Sequence, residues 1–209
     1  MNAKFSERLA SLSTPHLADA CLRVGAPVRC APAGVTAVQR GMRCAGRALP
    51  VRHVGSVDVF LEALGHARPG DVLVVDNGGR LDEACVGDLI TLEVQKAGLH
   101  GIVIWGLHRD TDELVSIGLP LFSLGTLATG PQRLDPRPAD GMQSARVGHW
   151  NITQQDVVAC DSDGVLFMPE EQLQEIMVAA TNIRETERQQ AEKISPASRY
   201  VSRLGLRST

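Results

Sequence analysis

The chain has 209 residues, 44% of them hydrophobic, with 21 Lys and Arg against 24 Asp and Glu for a formal net charge of −3. That length and apolar content suit one globular domain with a sizeable core and an appendage, and exclude a largely disordered chain. The slight negative balance excludes a general basic face, so nucleic acid is not an expected partner; Arg40, Arg43, Arg47 and Arg52 form only a local patch on a strand expected to expose alternate positions.

Five cysteines, at positions 21, 30, 44, 85 and 160, form no CxxC pair and leave one over, which points to reduced thiols in a cytoplasmic protein. No signal-like leader and no run of about 18 apolar residues is present, so no membrane association is expected.

In chain order, residues 14–24 read as a helix started by Ser13 or Thr14 with Pro15, and Ala31-Pro32-Ala33-Gly34 as a loop. A strand is predicted near 43–51 and a helix near 57–64. Asp71-Val72-Leu73-Val74-Val75 is a short β-branched run between Pro69-Gly70 and Asp76-Asn77-Gly78-Gly79, so it reads as a buried parallel strand followed by a turn lining a cleft. After a polar loop, residues 89–98 make a helix with Asp88 suited to its N-cap, Lys96 in the last turn and Gly98 as its stop. Gly101-Ile102-Val103-Ile104-Trp105-Gly106 is a second buried strand, and the three segments form a β-α-β unit with a right-handed crossover.

A further strand is predicted over 119–124 and an exposed loop over 129–141, which holds three prolines. Residues 146–148 and 157–160 read as antiparallel strands, with a hairpin turn at Asp161-Ser162-Asp163-Gly164 before Val165-Leu166-Phe167-Met168. From Glu170 to about Lys193 the pattern is a long polar helix whose stripe of Leu173, Ile176, Met177 and Ala180 is a docking face. The tail beyond Pro196 carries Arg199, Arg203 and Arg207.

In a β-α-β unit the carboxyl ends of both strands and the N-terminus of the helix share one edge, where ligands of open parallel sheets bind. The free N–H groups at Gly87, Asp88, Leu89 and Ile90 would attract an anion, and Arg109 supplies a fork matched to a carboxylate or phosphate. Asp110 is a hard oxygen ligand for a divalent cation. The residues alone thus point to a small carboxylate or phosphate beside a metal on Asp110.

Plainer readings compete. Asp110 could simply cap a helix starting at Thr111-Asp112-Glu113-Leu114, Arg109 could be a surface ion-pair residue, and Asp88 could serve as N-cap and site residue together. His108-Arg109-Asp110 is not a kinase catalytic loop, because Val115 stands where that loop needs Asn. Asp161-Ser162-Asp163-Gly164 has the wrong glycine position for a calcium loop. The histidines at 16, 53, 66, 100, 108 and 149 show no paired metal spacing, and only His108 is expected near the site.

Asp88, twenty intervening residues and then Arg109-Asp110 resembles the D-x20-R-D signature of the class II, metal-dependent pyruvate aldolases of the RraA-like family. Gly70-Asp71-Val72-Leu73-Val74-Val75, Gly101-Ile102-Val103, Gly118-Leu119-Pro120 and Leu124-Gly125-Thr126 are similar to runs of that family. The likeness is strong over 70–126 and weaker from Leu17-Ala18-Asp19-Ala20 to Asp161-Ser162-Asp163-Gly164-Val165.

The resemblance implies an α/β swivelling three-layer (β/β/α) domain over residues 1–168, with a parallel central sheet and a second antiparallel layer. A C-terminal helix and tail, 169–209, would serve oligomerisation. It implies an aldolase that cleaves 4-hydroxy-4-methyl-2-oxoglutarate, 4-carboxy-4-hydroxy-2-oxoadipate or a related 4-hydroxy-2-keto acid to pyruvate through a metal-stabilised enolate, with oxaloacetate decarboxylation alongside. Asp110 would bind Mg2+ or Mn2+. Arg109 would bind the pyruvyl carboxylate and steady the enolate, together with the amides of Gly87, Asp88, Leu89 and Ile90. Asp88 would hold a metal-bound water and help it act as base. The partner would be the small keto acid, and the assembly a homotrimer or hexamer in which Glu185 or Glu187 approaches a neighbouring site. The family also contains regulators that bind ribonuclease E or related partners without catalysis, which is the alternative. His108 and Leu127-Ala128 depart from the family's pattern and leave the particular keto acid open.

Overall fold

In the computed structural model, which describes residues 3–194, two helices, α1 (Ala3–Ala10) and α2 (Thr14–Val24), precede two short strands, β1 (Arg29–Cys30) and β2 (Thr36–Ala37). The central unit follows as β3 (Cys44–Arg52), α3 (Asp58–Leu64), β4 (Val72–Asp76), β5 (Ala84–Val86), α4 (Asp88–Lys96) and β6 (Gly101–Trp105), then β7 (Leu107–His108), α5 (Thr111–Ile117) and β8 (Leu121–Ser123). Beyond it come the hairpin β9 (Ser144–Val147) and β10 (Trp150–Thr153), the hairpin β11 (Asp156–Asp161) and β12 (Gly164–Pro169), a 3-10 turn (Glu170–Gln172) and α6 (Leu173–Ile194). The arginine-bearing tail beyond Pro196 lies outside the described residues. No described helix is long and apolar enough to cross a membrane.

Eight strands make one sheet in the order β1-β12-β11-β3-β4-β6-β8-β2. Its middle, β3-β4-β6-β8, is parallel, and α3, α4 and α5 are the connecting segments between successive strands. The wings, β11, β12 and β1 on one side and β2 on the other, are antiparallel.

Strand alternation sorts the side chains into layers. Leu73 and Val75 of β4 join a core with Phe60 of α3, Val94 of α4 and Leu114 of α5. Val72 and Val74 join another with Val147 of β9 and Ile152 of β10. On the antiparallel wing, Val157 and Ala159 of β11 pack with Leu17 and Cys21 of α2 and with Ile176, Met177 and Ala180 of α6. The order is therefore helices, sheet, hairpin, the three-layer α/β arrangement expected. The expected docking stripe on α6 lies against its own α2 and sheet.

The strand near 43–51 was expected to expose alternate positions, and that expectation fails. With β11 on one side and β4 on the other, β3 is an interior strand, buried from Cys44 through Val51. Its Arg47 is buried and forms a two-point pair with buried Asp71, Nη2 to Oδ2 at 2.7 Å and Nε to Oδ1 at 3.1 Å. Those bonds raise the Arg47 pKa further. Asp71 also accepts the Arg68 N–H at 2.9 Å, tying the turn before β4 to β3. The Pro69-Gly70 turn presses so closely that a Cβ on Gly46 would stand 2.1 Å from the Gly70 carbonyl oxygen.

Other differences have a common cause. α1, β1, β2, β5, β7 and β10 were not anticipated. The strands among them, two to four residues long, are too short to carry a periodic signal and exist through a partner that is distant or across a tight turn. Asp88 was expected as the N-cap of α4, but Gly87 holds that place and Asp88 is the first helical residue.

Removing one member of the Arg47–Asp71 pair strands a buried charge. Asp71→Ala is therefore expected to lower unfolding free energy by about 3–5 kcal/mol, while the double replacement Arg47→Met with Asp71→Leu recovers most of that loss. Urea denaturation of the three variants reads this directly.

Candidate active site

The two halves of the sequence signature meet because β5 and β7 pair as a small parallel ribbon beside the main sheet. Ala84 stands opposite Leu107 and Val86 opposite His108. The next residue of β7's path, Arg109, donates its N–H to the Val86 carbonyl at 3.0 Å. Gly87-Asp88 at the start of α4 therefore lies against Arg109-Asp110, at the edge where β4 and β6 end.

Asp110 has φ 60° and ψ 44°, and it is the one non-glycine residue with positive φ among the described residues. Aspartate tolerates this left-handed region better than most side chains, yet such placements persist only where the surroundings demand them. Asp110 does stand at the N-cap of α5, and its carbonyl accepts the Leu114 N–H at 2.9 Å. Its carboxylate makes no capping bond. It is turned towards α4 instead: Oδ2 accepts the Asp88 N–H at 3.3 Å and lies 3.4 Å from Arg109 Nε. Oδ1 has no protein partner among the described residues, and the side chain is 32% exposed. The capping reading thus holds for the backbone of Asp110 and fails for its side chain.

Gly87 makes this approach possible. A Cβ there would stand 2.2 Å from Asp110 Oδ2, well inside contact distance. The need is for space alone, since the Gly87 backbone, φ −134° and ψ −163°, is extended and open to any residue.

Arg109 is exposed and its guanidinium lies over Gly130, whose Cβ would be 3.1 Å from Nη1. Beyond its contact with Asp110 it has no acceptor among the described residues, so the outer edge of the fork is available to an anion. Of the amides expected to hold that anion, two already face carboxylates: Asp88 N–H faces Asp110, and Leu89 N–H donates to Asp88 Oδ1 at 2.7 Å.

Gly87, Asp88, Leu89, Ile90 and Arg109 line a cleft of about 190 Å3, closed elsewhere by His53, Gly55, Val57, Pro131 and the three residues of β5. The loop 129–141 forms the wall at Pro131 and is pinned in place. Ala84 N–H donates to the Thr129 carbonyl at 2.9 Å, and Asp135 N–H to the Val54 carbonyl at 2.9 Å. Arg133 spans buried Glu83 with Nε to Oε2 at 3.1 Å and Nη2 to Oε1 at 2.8 Å. Gly55 allows the loop's close approach, because a Cβ on it would be 2.1 Å from the Arg133 carbonyl oxygen.

His108 stands beside the site as expected, though behind Asp110 and outside the cleft, whereas His53, not expected there, is among the residues that line it. His108 is buried with Nδ1 2.7 Å from Ser123 Oγ and Nε2 3.1 Å from Thr111 Oγ1, fastening β7 to β8 and to the start of α5 behind Asp110. Burial pushes its pKa down, against a contact at Gly125 and the Asp110 charge. His53 follows β3, whose carboxyl end lies level with that of β4, and its position just past a parallel strand was the available signal.

The turn Asp76-Asn77-Gly78-Gly79 was expected to line the cleft but packs on Trp105 instead, with Asn77 and Gly79 N–H groups donating to the Trp105 carbonyl. Glu187 lies 2.9 Å from His16 Nε2, and Glu185 3.8 Å from Arg188.

No cluster of three or more His, Cys, Asp or Glu side chains among the described residues suits a fully protein-bound metal. A single outward carboxylate with one uncommitted oxygen suits a hard, mostly hydrated cation such as Mg2+, which takes one or two carboxylates and keeps its waters.

The RraA-like family, described as Aldolase/RraA, matches residues 14–167. A protein of Alcanivorax borkumensis that carries the provisional name 4-hydroxy-4-methyl-2-oxoglutarate aldolase is 31% identical over 110 residues, which is 52% of this chain and 66% of that one. The chain spans less than two thirds of the length of such curated relatives. A solved but uncharacterized protein of Pseudomonas syringae pv. tomato superposes with a TM-score of 0.78 at 27% identity, covering 93% of each chain. Streptomyces coelicolor RraAS2, described as an unusual member of the RNase ES inhibitor RraA protein family, superposes with a TM-score of 0.77 over 92% of this chain and 98% of its own. At 24% identity it shows the fold alone. A family match that runs unbroken from the start of α2 into β12, on a fold shared along nearly the whole chain, makes this protein a member of the RraA-like family.

Proposed function

We propose that the protein is a divalent-metal-dependent carbon–carbon lyase that cleaves a 4-hydroxy-2-keto acid to pyruvate by way of an enolate, with oxaloacetate decarboxylation as a companion activity. The observation that carries this reading is the Asp110 carboxylate, held in a left-handed backbone conformation against Gly87 with the free fork of Arg109 beside it. The provisional names of the curated relatives support the same chemistry.

Mg2+ or Mn2+ on Asp110, when bound, supplies positive charge for the keto oxygen and an electron sink for cleavage. Arg109 binds the pyruvyl carboxylate with two parallel N–H bonds and so fixes the C2–C3 axis of the substrate. The start of α4, with the Ile90 amide, adds partial positive charge at the same end. Asp88, half-buried at the first helical position, keeps one carboxylate oxygen free to order water in the cleft. A regulator that only binds another protein has no need of the Asp110 backbone conformation, which is why the lyase reading stands ahead of it. Assembly as a homotrimer, or as paired trimers, belongs to the proposal; Leu89, 71% exposed, and Leu92 are apolar residues beside the site that such an assembly would cover.

Pyruvate release from oxaloacetate and from 4-hydroxy-4-methyl-2-oxoglutarate, with Mg2+ or Mn2+ and again after chelation, tests the assignment; release that survives chelation, or none with metal present, overturns it. Asp110→Ala is expected to abolish the chelator-sensitive release. Arg109→Lys, which loses one of two charge-assisted bonds, is expected to raise KM on the order of tenfold or more. Gly87→Ala adds a methyl group where Oδ2 stands, so it should weaken Mn2+ binding, read by isothermal titration or electron paramagnetic resonance, with the thermal unfolding midpoint preserved.

A further inference from the structure

Among the described residues that line the cleft, Arg109 is the one permanent cation. Much of the remaining wall is apolar: Val57, Leu89, Ile90, Pro131 and the residues of β5. Val57 and Leu89 are 48% and 71% exposed, so this apolar surface is open to a ligand. Two further titratable residues of the wall carry no charge at pH 7. Burial lowers the His53 pKa, against the Asn77 bond and the Glu83 carboxylate, and burial raises that of the Cys85 thiol. Asp88, also on the wall, is a carboxylate.

The arginines of the adjoining loop 129–141 are already committed to carboxylates. Arg133 donates from Nε to Glu83 Oε2 at 3.1 Å and from Nη2 to Glu83 Oε1 at 2.8 Å, and its Nη1 pairs with Asp135. Arg137 pairs with Glu62.

Charge then limits what the cleft can hold. With a divalent cation on Asp110, the metal, Arg109, Asp88 and Asp110 together carry one net positive charge, which a single pyruvyl carboxylate cancels. A second carboxylate would meet no cation, would face Asp88 and would lose water against apolar side chains; moving a charge from water to such a wall without a partner is costly. An alkyl group in its place gains from the same surface.

We infer that the cleft selects monocarboxylate 4-hydroxy-2-keto acids with alkyl groups at C4 over the dicarboxylate 4-hydroxy-4-methyl-2-oxoglutarate for which its relatives are named. The inference rests on the lyase reading above and narrows its substrate class. Oxaloacetate does not probe this selection, because its second carboxylate is C4 itself and leaves as CO2.

The test compares ligands that differ by a methyl group in place of a carboxylate. 4-Methyl-2-oxopentanoate and 4-methyl-2-oxoglutarate lack the C4 hydroxyl and cannot undergo retro-aldol cleavage, so isothermal titration into the full chain with Mg2+ reads their affinities alone. The monocarboxylate is expected to bind on the order of tenfold more tightly or better. Cleavage of 4-hydroxy-4-methyl-2-oxopentanoate to pyruvate and acetone should likewise show a lower KM than cleavage of 4-hydroxy-4-methyl-2-oxoglutarate to two pyruvates. Val57→Arg, at a half-exposed position, places a cation on the apolar wall and should shift the affinity ratio towards the dicarboxylate by about tenfold. Val57→Leu should leave the ratio unchanged. Equal or tighter binding of the dicarboxylate by the wild-type protein, as a cation from a neighbouring copy would produce, overturns the inference, and so does a ratio that Val57→Arg fails to move. Failure of the wild-type protein to form pyruvate from oxaloacetate or from either hydroxy acid with metal present would instead overturn the lyase reading beneath it.

Discussion

The parallel pairing of Ala84, Cys85 and Val86 with Leu107 and His108 fixes where the amide end of α4 stands relative to Arg109-Asp110. Each strand is too short to survive alone, so the ribbon depends on the larger sheet that delivers its ends. Once it forms, the chain must leave β7 and enter α5 within a few residues, and Asp110 takes up the sharp change of direction in a left-handed conformation. The carboxylate is thereby aimed back at Gly87, which has no Cβ to obstruct it. Sequence positions 88 and 110 become neighbours through backbone hydrogen bonds, without any long side chain to bridge them.

Buried ionic groups then set the walls. Arg47 with Asp71 locks the turn before β4 onto β3, and Arg133 with Glu83 locks the loop 129–141 over the cleft. Pairs of this kind add little net stability, because removing both charges from water costs about what the attraction returns. What they do supply is position, since each bidentate contact tolerates only a narrow geometry. Around Glu83 and Asn77 the satisfaction is incomplete: among the described residues, Asn77 Nδ2 and Arg80 Nε are buried without a hydrogen-bond partner, although Arg80 Nε lies 3.6 Å from the Glu83 carboxylate. Local frustration of this sort is common beside functional sites. The same cluster orients His53, through an oxygen of Asn77 shared with Arg133.

Some of this was legible in the residues. The apolar runs at Val72-Leu73-Val74-Val75 and Gly101-Ile102-Val103-Ile104, with an amphipathic segment between them, follow from periodicity, so the β-α-β unit and its ligand-binding edge could be read directly. The Gly87-Asp88 and Arg109-Asp110 pairs stand on that edge for the same reason. The N-terminal helix announced itself by Ser13 and Pro15, and Ser13 does accept the His16 N–H. Arg47, by contrast, looked like an exposed position on an alternating strand, because sequence cannot show that β11 returns from far along the chain to cover β3.

Periodicity, turn chemistry and charge by themselves determined the class of fold, the edge that carries the site and the residue types placed there, since these are properties of neighbours along the chain. Only the tertiary structure decided that the Asp110 carboxylate faces Gly87 instead of capping α5, that His108 fastens strands behind it while His53 takes a place in the cleft wall, and that a proline-bearing loop forms part of the same wall. Each of those outcomes depends on contacts between segments tens of residues apart, whose register is set by sheet pairing and by which small residues allow two backbones to touch.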